Sequence, residues 1–351
     1  MRPETGLRNS DTAAGLRTAR KILVVDFGGL GDHIHSLPAL WLLRQHCAHA
    51  QLHVTGGAEL FGAMTPWIDR VWDYRQRNVR SDLAWIAKLR REHYDAAMVI
   101  TSSNHAVALG GLSGAALRIA RKADANKTWL WQPWLLTQVL DVPFHREPMY
   151  VQRWQAFKQM GLDGREPEFH VTIDVELRRR AGIEATDDKT YLHFSASATD
   201  DRRDLPLPQM IALWDALHAR FPERRIAVSG HGTLRGRAKL TAILQGISFQ
   251  PWRVFDGNLD VPAFVSVMQG AALHVGPDSG GLHVARLVDT PSVSWFRPNH
   301  HIKNWFPDTA GQLAFVAPDA REDGLYGLET GTFVAAAVEL LGSGPGNWSG
   351  S

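Results

Sequence analysis

Residues 275–283 read VGPDSGGLH, and this stretch decides the fold. Residues 271–275 upstream form a short apolar run that Gly276-Pro277 ends. Downstream, Val284-Ala285-Arg286-Leu287 re-enters a helical pattern. A strand, a tight turn and a helix start are therefore expected in that order. Such a turn presents an anion site. Gly280 and Gly281 let backbone approach a ligand with no Cβ in the way. The helix N-terminus adds unpaired N–H groups and a positive dipole end. Ser279 contributes a hydroxyl and His283 an imidazole. Asp278 repels a bare phosphate but accepts a bond from a hydroxyl or amine, so the mixture suits a diphosphate joined to sugars. An ordinary strand-to-helix turn with Asp278 or Ser279 as N-cap accounts for the same residues. The pattern is neither a P-loop nor a dinucleotide fingerprint.

Outward from this turn, strands and helices alternate in both halves of the chain. In the first half, apolar runs at 21–26, 51–55, 70–74, 94–100 and 116–119 read as strands. Helical patterns lie at 33–45, 58–64, 82–92, 105–113 and 149–160. The second half restarts with strands at 190–194, 225–229, 254–255, 272–275 and 290–295, and helices at 208–220, 239–244, 261–269 and 333–341. This is the pattern of an α/β protein with two doubly wound parallel sheets. The expected division is a flexible extension over 1–20, a first domain over 21–170 and a linker over 171–188. A second domain over 189–341 and a disordered Gly/Ser-rich tail over 342–351 complete it.

The chain has 351 residues, 44% hydrophobic and 21% charged, which fits two domains of ordinary size. A net charge of +2 is too small to imply nucleic acid as a partner. The single cysteine, Cys47, excludes an intramolecular disulfide framework and a cysteine-built zinc site, and fits a reducing compartment. Its helical apolar setting gives it a structural reading. No apolar run is long enough for a transmembrane helix, and residues 1–20 lack a signal-peptide h-region. Gly29-Leu30-Gly31 is half of a dinucleotide fingerprint, but Ile34 stands at the third glycine position, which argues against a nicotinamide site.

Two stretches carry a resemblance. Residues 21–40, KILVVDFGGLGDHIHSLPAL, resemble the N-terminal signature of the bacterial heptosyltransferases, glycosyltransferase family 9, through Gly31-Asp32, Ile34-His35 and Leu37-Pro38-Ala39. Residues 275–285, followed by Thr290-Pro291 and Phe296, look like that family's donor-binding loop. Arg118-Ile119, the segment around His145 and the loop 195–206 follow in the expected order. The resemblance spans roughly residues 21 to 317. It implies a GT-B fold, two Rossmann-like domains facing a cleft. The implied reaction is inverting transfer of L-glycero-D-manno-heptose from ADP-heptose to a lipopolysaccharide inner-core acceptor, with no metal and no cofactor. The implied setting is the cytoplasm, with peripheral contact to the inner membrane.

By position, Asp32 corresponds to the family's catalytic base. An inverting transfer needs a carboxylate to take the acceptor hydroxyl's proton, and the positive end of the helix behind Asp32 favours a negative charge there. An N-cap role for the helix expected at His33 explains the same residue. The leaving diphosphate needs donors or cations. The Ser279–Gly281 backbone supplies the first, with Asp278 and His283 beside it. Where the family has a lysine, this chain offers Arg202 or Arg203, and the choice stays open; Ser195 and Ser197 are further donor-side candidates. A solvated loop paired with Asp200, Asp201 and Asp204 is the alternative for both arginines. Arg75, Arg77, Arg118, Arg121 and Lys122 are candidates for an acidic acceptor.

Several residues depart from the family pattern. Asp26 stands where Lys or Arg is usual and would repel a phosphorylated acceptor. The Lys-x-Trp-Pro signature is reduced to Arg203-Asp204-Leu205-Pro206, and no acidic residue follows Gly230-His231-Gly232. These departures keep open a different nucleotide sugar or acceptor, and a non-catalytic nucleotide-sugar binder. The Trp129, Trp131 and Trp134 run fits either core packing or contact with lipid. His300-His301 without a carboxylate makes a weak metal pair.

Overall fold

The computed structural model describes residues 9–74, 78–101, 103–121, 132–140, 142, 147–299, 302–306 and 309–342. The chain divides into two compact units, Met1–Thr172 and Ile173–Ser351. In the first, β1 (Lys21–Val25), β2 (Gln51–Thr55), β3 (Arg70–Trp72), β4 (Ala96–Val99), β5 (Leu117–Arg121) and β6 (Gln138–Leu140) form one sheet in the order β3-β2-β1-β4-β5-β6. In the second, β7 (Tyr191–Ser195), β8 (Arg225–Ser229), β9 (Arg253–Phe255), β10 (Leu273–Pro277), β11 (Ser292–Phe296) and β12 (Gln312–Val316) repeat that order as β12-β11-β10-β7-β8-β9. Every pairing in both sheets is parallel.

The strands have the composition of a parallel sheet covered on both faces. Ile22, Leu23, Val24 and Val25 of β1 are all fully buried. One face of this sheet packs Leu23 and Val25 with Trp72, Trp85, Leu89 and Val99. In the second unit Leu192 and Phe194 pack with Trp214, Val275, Trp295 and Phe333. Cys47 is buried in the first unit, and that burial pushes its thiol pKa up, in keeping with a structural role.

In both sheets the winding reverses beside the first strand. β1 lies between β2 and β4, and β7 between β8 and β10. Chains that leave adjacent strands toward opposite faces leave a crevice at the strands' carboxyl ends. The turn after β1 and the turn after β10 both open there.

Several expectations change. The supposed flexible extension contains a helix, Asn9–Thr18, whose Leu16 is fully buried and whose Thr12 hydroxyl donates to the Gln138 side chain on β6. Of the supposed linker, residues 173–188 are part of the second unit and 171–172 of the first. A helix at Val175–Arg180, N-capped by Asp174, is fastened by Arg178 on Asp188 at 2.7 Å and by Ser266 Oγ on the Asp174 carbonyl at 3.1 Å. The helix after β1 begins at Leu30, not His33, and runs to His46. Pro38 therefore sits in its interior, where it lacks the N–H that would bond the Ile34 carbonyl. Strands β6 and β12 and a small antiparallel pair, Asp319–Arg321 with Gly324–Tyr326, had no sequence reading. They are short edge pieces whose apolar periodicity is too brief to stand out. Of the tail expected to be disordered, Gly342 ends the helix Thr330–Gly342, and 343–351 lie outside the described residues.

Leu16→Ala should destabilise the first unit by about 2–4 kcal/mol, as deletion of a buried leucine side chain does. Urea unfolding measures this, and a change below about 0.5 kcal/mol would mean the N-terminal helix is not part of the core.

Candidate functional site

In the second unit, β10 ends at Pro277 and the backbone N–H of Asp278 donates to the Trp295 carbonyl at 3.0 Å. Ser279 is extended and N-caps the helix Gly280–Leu287 without a side-chain cap bond. The first N–H groups of that helix have no partner within it. Gly281 answers a packing demand. A Cβ there would stand 3.1 Å from Ser195 Oγ and 3.2 Å from His274 Nε2. The missing side chain lets the helix sit down on β7 and β10, while Ser279 and Gly280 stay half-buried at the rim.

Asp278 is buried, and burial pushes its pKa up to about 6, against the opposing pull of Arg203. Arg203 Nη1 lies 3.4 Å from both Asp278 Oδ2 and the Asp278 carbonyl, and the arginine side chain is 45% exposed. His283 Nε2 is 4.0 Å from Asp278 Oδ1. Arg202 turns the other way, with Nε and Nη2 on the Asp200 carboxylate at 3.0 and 2.8 Å. Of the two arginines, Arg203 stands at the Asp278 turn and Arg202 does not.

The loop carrying Arg203 is held from beneath. Asp204 accepts from the Ala198 N–H at 2.6 Å and meets Lys239 and Arg235 at 2.8 and 2.9 Å. Trp295 Nε1 donates to the Arg203 carbonyl at 3.1 Å. Ser195 and Ser197 are buried at the carboxyl end of β7. Ser195 Oγ is 3.4 Å from Ser229 Oγ, and Ser197 Oγ has no hydrogen-bond partner. Below them, fully buried His193 and His274 share a contact between their Nδ1 atoms at 3.0 Å. Burial pushes both pKa values down, His274 to about 3, so both rings are neutral and one Nδ1–H serves the other ring's lone pair.

In the first unit, Asp32 occupies the third position of the helix Leu30–His46. Its Oδ2 accepts from the Gly29 N–H at 3.1 Å, and its Oδ1 from Arg153 Nη2 at 3.1 Å. Arg153 Nη1 donates to the Asp32 carbonyl and, at 2.6 Å, to Ser36 Oγ. The Asp32 side chain is 32% exposed and that of Arg153 only 3%. Gly28 makes room for this arrangement, since a Cβ there would fall 2.4 Å from Asp32 Cβ.

Beside the turn lies a cavity of about 290 Å³, lined by Phe27, Gly28, His33, Gly56, Tyr74 and His105 among others. Tyr74 stacks on Phe27 with ring centroids 4.9 Å apart and donates its hydroxyl to Asp82. His105 Nε2 is 3.1 Å from Asp82 Oδ2. Aromatic faces beside hydroxyl, imidazole and carboxylate groups suit a polyhydroxylated ring. Among the described residues, no group of three or more His, Cys, Asp or Glu side chains is gathered as a metal ion needs.

The family described as glycosyltransferase family 9 (heptosyltransferase) matches residues 83–310. The chain belongs to glycosyltransferase family 9. It is 32% identical over 111 residues to lipopolysaccharide heptosyltransferase 3 of Escherichia coli, a match that spans 32% of each chain. Its fold is similar to that of a family 9 glycosyltransferase from Veillonella parvula DSM 2008, at 16% identity and a TM-score of 0.76, covering 93% of this chain and 98% of the other. The ADP-heptose lipopolysaccharide heptosyltransferase II of E. coli gives 16% identity and a TM-score of 0.71, covering 92% and 98%. The two parallel α/β units are thus those of the family's GT-B proteins.

Within this family 9 chain the expected donor-side residues Ser195, Ser197, Arg203, Asp278, Ser279, Gly280, Gly281 and His283 gather at the β7/β10 crevice. The acceptor-side expectations fare differently. Arg121 is buried, donating to Gln152, and Arg118 spends its guanidinium on the carbonyls of Leu135 and Ala115, each at 2.6 Å. Arg121 therefore offers no accessible cation, and Arg118 is committed to backbone. Arg75, Arg77, Lys122, His145, Trp129, Trp131, His300 and His301 lie outside the described residues. Asp26 is fully buried, with neither carboxylate oxygen hydrogen-bonded, so it does not present its charge at the surface as expected. Arg153 and the His193–His274 pair had no functional reading in the sequence. A lone arginine on the apolar face of helix Met149–Gln159 was the available signal.

The unfolded Asp278 carboxyl titrates near 3.9, below its folded value of about 6. Its stabilisation is therefore fully present below the unfolded value and is lost as pH rises through about 6. Asp278→Asn removes that loss. The variant should gain on the wild type by on the order of 2 kcal/mol between pH 4 and 7.5, measured by denaturant unfolding across pH; a difference that does not change with pH would contradict the assignment.

Proposed function

We propose that this protein is an inverting, metal-independent heptosyltransferase that moves heptose from ADP-L-glycero-D-manno-heptose to a lipopolysaccharide inner-core acceptor. The observation that carries the reading is the Asp278–Gly281 turn with Arg203 at the carboxyl ends of β7 and β10, in a chain of family 9. The helix N-terminus and Arg203 offer the diphosphate donors and positive charge where negative charge grows as it departs. Ser197 Oγ, buried and unpartnered, is available to a ligand oxygen. In the reaction the acceptor oxygen bonds to the anomeric carbon, the bond from that carbon to the diphosphate breaks, and ADP leaves with the electron pair. Asp32 takes the acceptor's proton.

ADP release from ADP-heptose and a heptose-deficient core acceptor tests the reading. Asp32→Ala should lower kcat by about 10²–10⁴-fold with donor binding intact, and full activity in that variant rejects the base assignment. Arg203→Ala should raise the donor KM roughly 10- to 100-fold, the worth of a charged hydrogen bond, while Arg202→Ala should leave it within about twofold. Equal effects of the two would contradict the geometric choice.

The reduced Arg203-Asp204-Leu205-Pro206 signature favours, as a second reading, a different nucleotide sugar or acceptor. Thermal shift against ADP, UDP and GDP discriminates, because a ligand that binds the folded state raises its stability. Binding without turnover on any acceptor would point to a nucleotide-sugar binder.

Peripheral contact with the inner membrane from the cytoplasmic side belongs to the same proposal. No helix among the described residues is long and apolar enough to cross a membrane. The helix Val79–Arg91 buries Trp85 and Leu89 and exposes Val79 and Leu83 beside exposed Arg80 and Arg91. Trp134 is 83% exposed, so this member of the tryptophan run is not core. Such a face suits an anionic lipid surface. The protein should co-sediment with phosphatidylglycerol-containing vesicles and not with phosphatidylcholine alone, and Leu83→Asp should reduce the bound fraction; no difference between the vesicles would refute the contact.

A further inference from the structure

We infer that Arg153 is a positioning residue for Asp32, setting the direction in which the carboxylate presents its free lone pairs. The inference rests on the reading of Asp32 as the base. Asp32 is partly exposed and near the start of a helix, where an aspartate side chain ordinarily samples several rotamers. Here each oxygen has its own donor: the Gly29 N–H on Oδ2 and Arg153 Nη2 on Oδ1, both at 3.1 Å. The guanidinium is itself immobilised. Its Nη1 is committed to the Asp32 carbonyl and to Ser36 Oγ, and its side chain is only 3% exposed. Each carboxylate oxygen has about two lone-pair sites. One on each is taken by these donors, and the rest stay free on a side chain that is 32% exposed.

A purely structural role accounts poorly for an arginine at this place. Arg153 and Arg121 are both buried and line the same narrow, mostly apolar cavity with Met98, Ile119 and Phe157. Each guanidinium opposes the other's charge, and burial together with Arg153 lowers the Arg121 pKa to about 9. Joining helix Met149–Gln159 to helix Leu30–His46 could be done with apolar side chains at lower desolvation cost. What an apolar residue cannot do is hold a half-exposed carboxylate from the inside.

The test uses the full chain with Arg153→Met, Arg153→Lys, Asp32→Asn and the Asp32→Asn/Arg153→Met double variant. In a crystal structure of Arg153→Met, the Asp32 carboxylate should leave its present rotamer while the helix Leu30–His46 keeps its place. An unmoved carboxylate overturns the inference whatever the substrate proves to be. In the ADP-release assay, Arg153→Met should lose at least about tenfold in kcat, the scale of a misplaced reacting group, with the donor KM unchanged. Arg153→Lys should recover part of the loss, and it keeps the test available if the methionine variant does not fold. In the Asp32→Asn background Arg153→Met should cost nothing further, since two residues that act as a unit are not additive. A further loss there would show a structural effect and overturn the inference. Full activity of Asp32→Asn would instead defeat the reading of Asp32 as base, and an inactive Asp32→Asn with a fully active Arg153→Met would defeat the positioning role alone.

Discussion

Parallel strands cannot be joined by a tight hairpin, so each connection must leave the sheet, cross a face as a helix and return. In both units the crossings change face beside the central first strand. Helices therefore diverge from the β1/β4 and β7/β10 pairs, and the backbone at those carboxyl ends is left uncovered. Every chemically interesting group described above depends on that constraint. Asp32 enters from the turn after β1, and Asp278 from the turn after β10. Ser195 and Ser197 close the end of β7. The sheets are otherwise ordinary apolar cores, with Trp214, Trp295 and Phe333 filling one and Trp72 and Trp85 the other.

At each crevice, charge is brought inside and held. Asp204 is nearly inaccessible yet faces Lys239 and Arg235, and the loop bearing Arg203 hangs on that cluster. Asp278 is also buried, with Arg203 as a distant partner, and burial raises its pKa. In the first unit the balance tips the other way: Arg153 meets the Asp32 carboxylate while a second buried guanidinium, that of Arg121, opposes the Arg153 charge. Ion pairs of this kind seldom add net stability, and their value lies in fixing where a loop or a carboxylate stands. The neutral His193–His274 pair sits under the Asp278 turn with Gly276 and Gly281 packed against it, so the turn rests on polar but uncharged side chains.

Much of this was legible in the residues. The turn at 275–283 and the one at 26–32 are local patterns, glycines and polar residues between an apolar run and a helical repeat, and local patterns survive folding. The clustering of Ser195, Ser197 and Arg203 with Asp278 followed from the resemblance, because a family motif carries spatial information that spacing alone does not. Two of the acceptor-side arginines, Arg121 and Arg118, are set differently from what a charged residue in sequence suggests, for a physical reason. A charged residue is expected at the surface, but Arg121 lies at the end of a covered strand and Arg118 is drawn to nearby carbonyls. The N-terminal helix was missed because its buried apolar residues, Ala13 and Leu16, are few, and their burial depends on a sheet edge formed far along the chain.

By itself the sequence determined the alternation of strands and helices, the two glycine-bearing turns at the ends of β1 and β10, and family membership, since these depend on neighbours within a few residues. Only the tertiary structure decided which arginine stands beside Asp278, that Asp26 faces inward, and that Asp32 is gripped by Arg153. Asp32 and Arg153 lie 121 positions apart. No periodicity links them, and they meet because two helices on one face of a sheet are packed against each other.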